Sequence, residues 1–147
     1  MESFFDEPTY NSLRDRLQQI DSNKTPEWGK MDAAQMFKHC QYPIQIALEK
    51  EKVVVKSNWF AKVFFKKSLY SDKPFRKNLP TAPSLKVADS KDFESEKEKL
   101  DQWMQELWYD RENNNRRSHP MFGNFTKDQW GKVQYKHLDH HFRQFGV

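Results

Sequence analysis

The sequence predicts an all-α domain spanning residues 1–147: an antiparallel four-helix bundle with an extra short helix and a long crossing loop. Three observations predict it. Four segments repeat apolar residues at spacings of three and four, which puts one apolar stripe on each helix. Aspartate, serine or threonine stands where three of those segments would begin, as helix caps require. Glycine is scarce, at four residues in 147, which disfavours a β-sandwich and its many tight turns.

Pro8 to Ile20 carries Tyr10, Leu13, Leu17 and Ile20, with Pro8 suited to a first turn. Asp21 to Asn23 ends this helix, and Lys24-Thr25-Pro26 makes a loop. Asp32, with Gln35 three residues on, opens a second helix whose stripe is Ala33, Phe37, Cys40, Ile44 and Ala47. His39 stands one residue off that stripe. Pro43 lies inside the helix and should kink it or loosen its hydrogen bonding near Cys40. Val53-Val54-Val55 favours a strand. The aromatic run after it has Phe60, Val63 and Phe64 on one side, so a short helix is predicted over about 58–69.

Ser71 to Ala88 holds Pro74, Pro80 and Pro83 and shows no period. Its apolar residues, Phe75, Leu79, Leu85 and Val87, make it an ordered crossing connection rather than a flexible linker. Ser90 to Arg111 is the clearest helix. Ser90 can cap it, acidic residues come early, and Phe93, Leu100, Met104 and Leu107 share a face. Glu112 to Arg117 breaks the pattern, and His119 to Phe125 is a turn-rich loop. Thr126 with Gln129 then caps a last helix over about 127–145, and Gly146 is placed to end it. Tyr135, Leu138, Phe142 and Phe145 form its stripe.

Composition bounds the function. Aromatics reach 15% against a hydrophobic total of 36%, which implies a small core of large side chains. Cys40 is the single cysteine, so no internal disulfide can form and no oxidising compartment is required. Met1 to Asp6 has neither a basic region nor an apolar one, and no apolar run approaches the roughly 20 residues of a membrane helix. A cytoplasmic protein without a membrane partner is the expectation. The charges behind the net +4 are mostly interspersed, 25 positive against 21 negative, which argues against nucleic acid as the partner. The aromatic stretch with Lys62, Lys66 and Lys67 fits a core helix with a wet basic side better than a nucleic-acid surface.

The candidate chemistry lies in the last helix. His137 and His141 are four residues apart and stand one above the other, on a flank of the apolar stripe. His140 is read as pointing to the opposite side, although an i, i+3 pair of His137 with His140 is also within reach. Two imidazoles at this spacing suit one metal ion, although a solvated helix edge would look the same. A third ligand must come from another element, and His39 is the candidate. Three neutral imidazoles accept Zn²⁺, Ni²⁺ or Fe²⁺ and leave an open position, the pattern of a catalytic site. Gln144, three residues after His141, and Asp139 are candidates to support the ligands, as is Gln35, one turn before His39. His119 could cap the bundle or reach the mouth of the site, and the structural role is favoured. Cys40 points into the core stripe and is expected to be a buried thiol rather than a ligand. No glycine-rich phosphate loop, nucleophile elbow or paired-cysteine zinc motif is present.

These residues resemble the DinB superfamily of helical-bundle metalloproteins. The family pattern is one histidine on the second helix, then His-x-x-x-His on the last helix with a glutamine three residues on. Here those are His39, His137, His141 and Gln144. The segments Trp28 to Met36, Thr81-Ala82-Pro83, His119 to Gly123 and Tyr135 to Gly146 are similar to a branch of that superfamily that is a domain of unknown function. The chain departs from the commoner form at Phe142-Arg143, where an Arg-Gly pair is frequent. The resemblance implies up-down-down-up connectivity, a divalent metal near one end of the bundle, and a homodimer. Relatives include thiol-dependent S-transferases and an isomerase. The expected function is therefore a metal-dependent transferase or hydrolase. It would use Zn²⁺ or Ni²⁺ to activate a thiol or water and act on a small molecule, with a low-molecular-weight thiol as a candidate cosubstrate. A non-catalytic metal-binding or small-molecule-binding module is the alternative, and a nucleic-acid binder the lesser one.

Overall fold

In the computed structural model the described residues are 1–50 and 59–147, and the side chains of 59–63 lie outside that description. The helices are α1 (Glu7–Gln19), α2 (Ala33–Ala47), α3 (Trp59–Leu69), α4 (Phe93–Tyr109) and α5 (Lys127–Gln144), with a 3-10 turn at Pro83–Leu85. No strand occurs among the described residues; an isolated bridge pairs His119 with Gly123. The strand alternative at Val53 to Val55, and a helix start at Asn58, fall outside the described residues. No helix among the described residues is long and apolar enough to cross a membrane.

Local chemistry accounts for where the helices start and stop. The Asp32 carboxylate accepts from Gln35 N at 2.8 Å, while Gln35 Oε1 accepts from Asp32 N at 3.0 Å. Thr126 and Gln129 make the same reciprocal pair at the start of α5. Such boxes satisfy two amide groups that a helix end leaves bare. At the far end of α5, Gly146 takes φ +71°, and the amides of Gly146 and Val147 bond Arg143 O and Phe142 O at 3.1 and 3.2 Å. This is the left-handed glycine cap that the sequence places there. The expected cap of α4, Ser90, is corrected to Asp92, whose carboxylate accepts from Ser95 N at 2.8 Å. Lys91 Nζ bonds Asp89 at 2.6 Å in the segment before this cap.

The contacts fix the direction of each helix. Tyr10, early in α1, stacks on Trp108, late in α4, at 4.5 Å between centroids. Lys97, early in α4, donates to the carbonyls of Gln18 and Ile20, so α1 and α4 run antiparallel. Phe37 meets Phe93 at 5.3 Å and Lys50 meets Glu106 at 3.5 Å, so α2 and α4 run parallel. Gln134 reaches Pro43 O and His141 approaches His39, so α5 runs antiparallel to α2. Arg16 pairs with Asp139 at 3.0 Å and Phe4 N bonds Gly131 O, so α5 runs parallel to α1. The connectivity is up-down-down-up.

Because α2 and α4 point the same way, the chain must return the length of the bundle between them. Its described part, α3 and residues 71–88, makes that return. Lys136 of α5, itself buried, donates to Ser68 O and Ser71 O and ties the end of α3 to the bundle. Val87 is buried and Phe75 and Leu85 are half-buried, as an ordered crossing requires, whereas Leu79 is exposed.

The core fills the space among α1, α2, α4 and α5. Leu13, Leu17, Phe37, Ile44, Leu100, Met104, Leu138 and Phe142 are all at most 1% exposed. Each such side chain contributes roughly 1.5–3 kcal/mol by leaving water. Gly131 lets the N-terminal segment cross α5 closely: a Cβ there would lie 2.1 Å from Ser3 Oγ.

Candidate metal centre

His39 is 5% exposed and His141 8% exposed, while His137 is partly accessible. Their rings meet where α2 and α5 face each other, with centroids 5.0, 4.8 and 4.7 Å apart. One ligand nitrogen from each lies within 4.8 Å of the others. His39 Nε2 and His137 Nε2 are 3.1 Å apart. Two imidazole nitrogens on one Zn²⁺ at about 2.0–2.1 Å stand roughly 3–3.4 Å apart, so this pair is already spaced for a shared ion.

Hydrogen bonds on the outer side of the rings decide which nitrogens are free. His39 Nδ1 faces Leu85 O at 3.0 Å, and a carbonyl can only accept, so this nitrogen carries the proton. His141 Nδ1 faces Gln144 Oε1 at 2.8 Å. The amide of Gln144 is oriented by its own donation from Nε2 to Trp28 O at 2.6 Å, so Oε1 accepts and His141 Nδ1 also carries a proton. In both rings Nε2 is left with a lone pair turned toward the other histidines. That is the tautomer a metal ligand needs, held by outer-shell acceptors as metal-ligating histidines commonly are.

The charge state agrees. Burial pushes all three imidazoles below the ordinary histidine range, and the neighbouring rings push His137 and His141 further. His141 is lowered to about 3. At neutral pH the three are uncharged, so no imidazolium has to be deprotonated before the rings can ligate.

Two features of the fold converge on His39. The crossing connection delivers Leu85 O through its 3-10 turn, where Leu85 N bonds Ala82 O at 2.9 Å. Pro43 sits four residues after His39 and has no N–H to give to the His39 carbonyl. The helix nevertheless runs unbroken through Pro43. Cys40 beside His39 is fully buried against Met36, its thiol pushed far above the usual range by burial, and it takes no part in the cluster.

Residues 7–146 match the family described as "Protein of unknown function (DUF1569)". The chain belongs to the DUF1569 family. Comparison with curated proteins and with solved structures finds no match.

In this DUF1569 chain the residues expected at the site are sorted as follows. His39, His137, His141 and Gln144 come together. Asp139 does not support the ligands: it pairs with Arg16 and Arg143, each at 3.0 Å, on the α1 side. At 100° per residue it lies about 160° from both His137 and His141, which explains the correction. Gln35 is used up in the α2 capping box and a 3.2 Å bond to Asp89 O. His119 is seven residues before Thr126, at the other end of α5. Its Nδ1 accepts from the amides of Met121 and Phe122, its ring lies 5.8 Å from Trp130, and burial lowers it to about 4. It organises its loop.

His140 is outside the trio, but the expectation that it points to the opposite side is corrected: it stands only about 60° from His137 around α5, and its ring packs on His141 at 5.1 Å. It is 8% exposed and lies against Trp28 and Phe75, at 5.6 and 5.7 Å. Sequence reasoning missed Gln134, whose amide donates to Pro43 O at 3.0 Å and pins α5 to α2 beside the histidines. Its signal was present: 134, 137, 141 and 144 share one flank of α5. Gly29 was also missed. It has φ +84°, and a Cβ on it would lie 2.6 Å from Gln144 Nε2, so glycine lets the Trp28 loop close onto Gln144.

Proposed function

We propose that this DUF1569 protein is a DinB-like, divalent-metal-dependent enzyme that acts on a small molecule. His39, His137 and His141 hold one Zn²⁺ or Ni²⁺. The observation that carries this reading is the pair of outer acceptors, Leu85 O and Gln144 Oε1. They fix two imidazoles with their lone pairs inward, and the third ring brings its Nε2 to 3.1 Å from that of His39.

The donor set fits such an ion. Three neutral nitrogen ligands suit zinc and nickel, and without a carboxylate they leave the full double charge on the metal. The ion supplies Lewis acidity that lowers the pKa of a thiol or water at its open position. The protein's own share is to fix the rings, keep them neutral, and pack Trp28 and Phe75 on His140 beside them. The resemblance to DinB proteins favours a low-molecular-weight thiol over water, hence an S-transferase over a hydrolase, by analogy of fold.

The test is elemental analysis of protein purified without a histidine tag. Wild type and His140→Ala should carry about one divalent ion per chain, and His137→Ala almost none. Metal-loaded wild type should then transfer thiols to electrophiles in a screen of several low-molecular-weight thiols. A metal content near zero, with a melting temperature that Zn²⁺ and Ni²⁺ do not raise, would end the proposal.

A further inference from the structure

The net charge of the chain is not spread evenly. Residues 59–88 hold seven basic side chains against one acidic, so the net +4 is the +6 of this segment offset by −2 over the rest. This segment also roofs the histidines. Leu85 bonds His39, Phe75 lies against His140, and Lys77 Nζ stands 4.4 Å from the Trp28 ring.

Three acids of this region are paired. Asp72 pairs with the N-terminal amine at 2.9 Å, Asp89 with Lys91 at 2.6 Å, and Asp139 with Arg16 at 3.0 Å. Glu27, toward Gly146, and the helix caps Asp32 and Asp92 have no ion pair among the described residues, the two caps being spent on the amides of Gln35 and Ser95. Arg76 and Lys77 are exposed and have no acidic partner among the described residues. Lys66 on α3, by contrast, is spent on Asn124 O and the Phe125 ring. Beneath the roof lies His140, nine-tenths buried, with no hydrogen-bond partner for either ring nitrogen among the described residues. A neutral imidazole always has one N–H to offer. Its nearest rings are Trp28, Phe75 and His141, the last a member of the trio at 5.1 Å.

We infer that the small molecule taken by this site is an anion, its charged group received by Arg76, Lys77 and the His140 N–H beside the three histidines. This rests on the metal reading above. A low-dielectric wall with cations of one sign at its rim concentrates anions locally. Lys77 lies against the Trp28 ring that packs on His140, with Arg76 beside it in the chain, and a pair of cations next to a buried N–H suits a small ligand better than a polyanion.

The experiment uses cobalt-loaded, tag-free protein and three thiols of similar length: 3-mercaptopropionate, 2-mercaptoethanol and cysteamine. They present a negative, neutral and positive group behind the same sulfur. Binding is read from the thiolate-to-cobalt absorption band. Mercaptopropionate should bind at least about tenfold more tightly than mercaptoethanol, with cysteamine weakest, and added salt should shrink the difference. The attraction of the metal itself is removed by comparing variants. Arg76→Gln/Lys77→Gln should keep its cobalt affinity and lose most of the preference, and His140→Phe should lose part of it. Lys127→Gln, at the far end of α5, should keep it. Equal binding of the three thiols, or a preference unchanged in the double variant, overturns the inference and leaves the metal reading standing. Displacement of mercaptopropionate by a single-stranded oligonucleotide at lower concentration also overturns it, in favour of a polyanion. Failure to take up cobalt overturns the metal reading and the inference with it.

Discussion

Replacing Gln144 with leucine tests how the site is held. Gln144 is 3% exposed, and its amide joins His141 Nδ1 at 2.8 Å to Trp28 O at 2.6 Å. Leucine fills a similar volume but pairs with neither, leaving a ring N–H and a carbonyl without partners. Each orphaned group costs about 1–3 kcal/mol, partly offset by the apolar side chain. The net expectation is a loss of about 2–4 kcal/mol, or roughly 4–16 °C in melting temperature for a chain of this size. His141 also loses the acceptor that fixes its tautomer, so metal affinity should fall about 10–100-fold. Urea melts followed by tryptophan fluorescence measure the first effect, and chelator competition the second. Gln144→Glu separates the two. Its carboxylate still accepts from His141 but cannot donate to Trp28 O, so stability should drop while metal affinity holds or rises. A leucine variant within about 0.5 kcal/mol of wild type, with unchanged metal affinity, would refute the reasoning.

Gly29→Ala should cost about 1–3 kcal/mol in urea melts, because an alanine there takes φ +84° and meets the Gln144 amide. Arg16→Met should cost about 1–2 kcal/mol, since Arg16 bonds Asp139, and Val147 O at 3.0 Å, in a half-buried network. Arg14→Met should cost less than about 1 kcal/mol, because its pair with Asp101 is more exposed. A reversed order would contradict the assignment. The metal-free protein should weaken in mild acid. All five histidines are held below the ordinary range chiefly by burial, with His119 at about 4 and His141 at about 3. Unfolded histidines take up protons from about pH 6.5, so below that the unfolded chain binds more protons than the folded one. Stability is therefore full above about pH 6.5 and declines as pH falls toward 3; urea midpoints that stay flat from pH 7 to pH 5 would count against it.

What was legible in the sequence was local. The two capping boxes and the α5 stripe set a register that stacks His137 and His141 about 40° apart, but the register does not turn His140 away: it lies about 60° from His137, and its ring packs on His141 at 5.1 Å. The same helical arithmetic turns Asp139 toward α1, and it would have found Gln134. The cap of α4 was misplaced because Ser90 and Asp92 are both competent caps and the local pattern does not choose between them; in the structure Asp92 takes the role. The partners that orient the ligands were not legible. Leu85 O and Trp28 O are backbone carbonyls, which every residue has, and they reach the site across 46 and 116 residues of separation. The burial of His140 was hidden for the same reason: Trp28 and Phe75 are brought to it by loops without a period.

The central claim is that three imidazoles bind one metal ion here. X-ray absorption at the zinc edge, on tag-free protein loaded with one equivalent of Zn²⁺, counts those ligands directly. The account predicts three imidazole nitrogens at about 2.0–2.1 Å, with one lost in each of His39→Ala, His137→Ala and His141→Ala and none lost in His140→Ala. A shell dominated by oxygen or sulfur, or a spectrum that His39→Ala leaves unchanged, would contradict it.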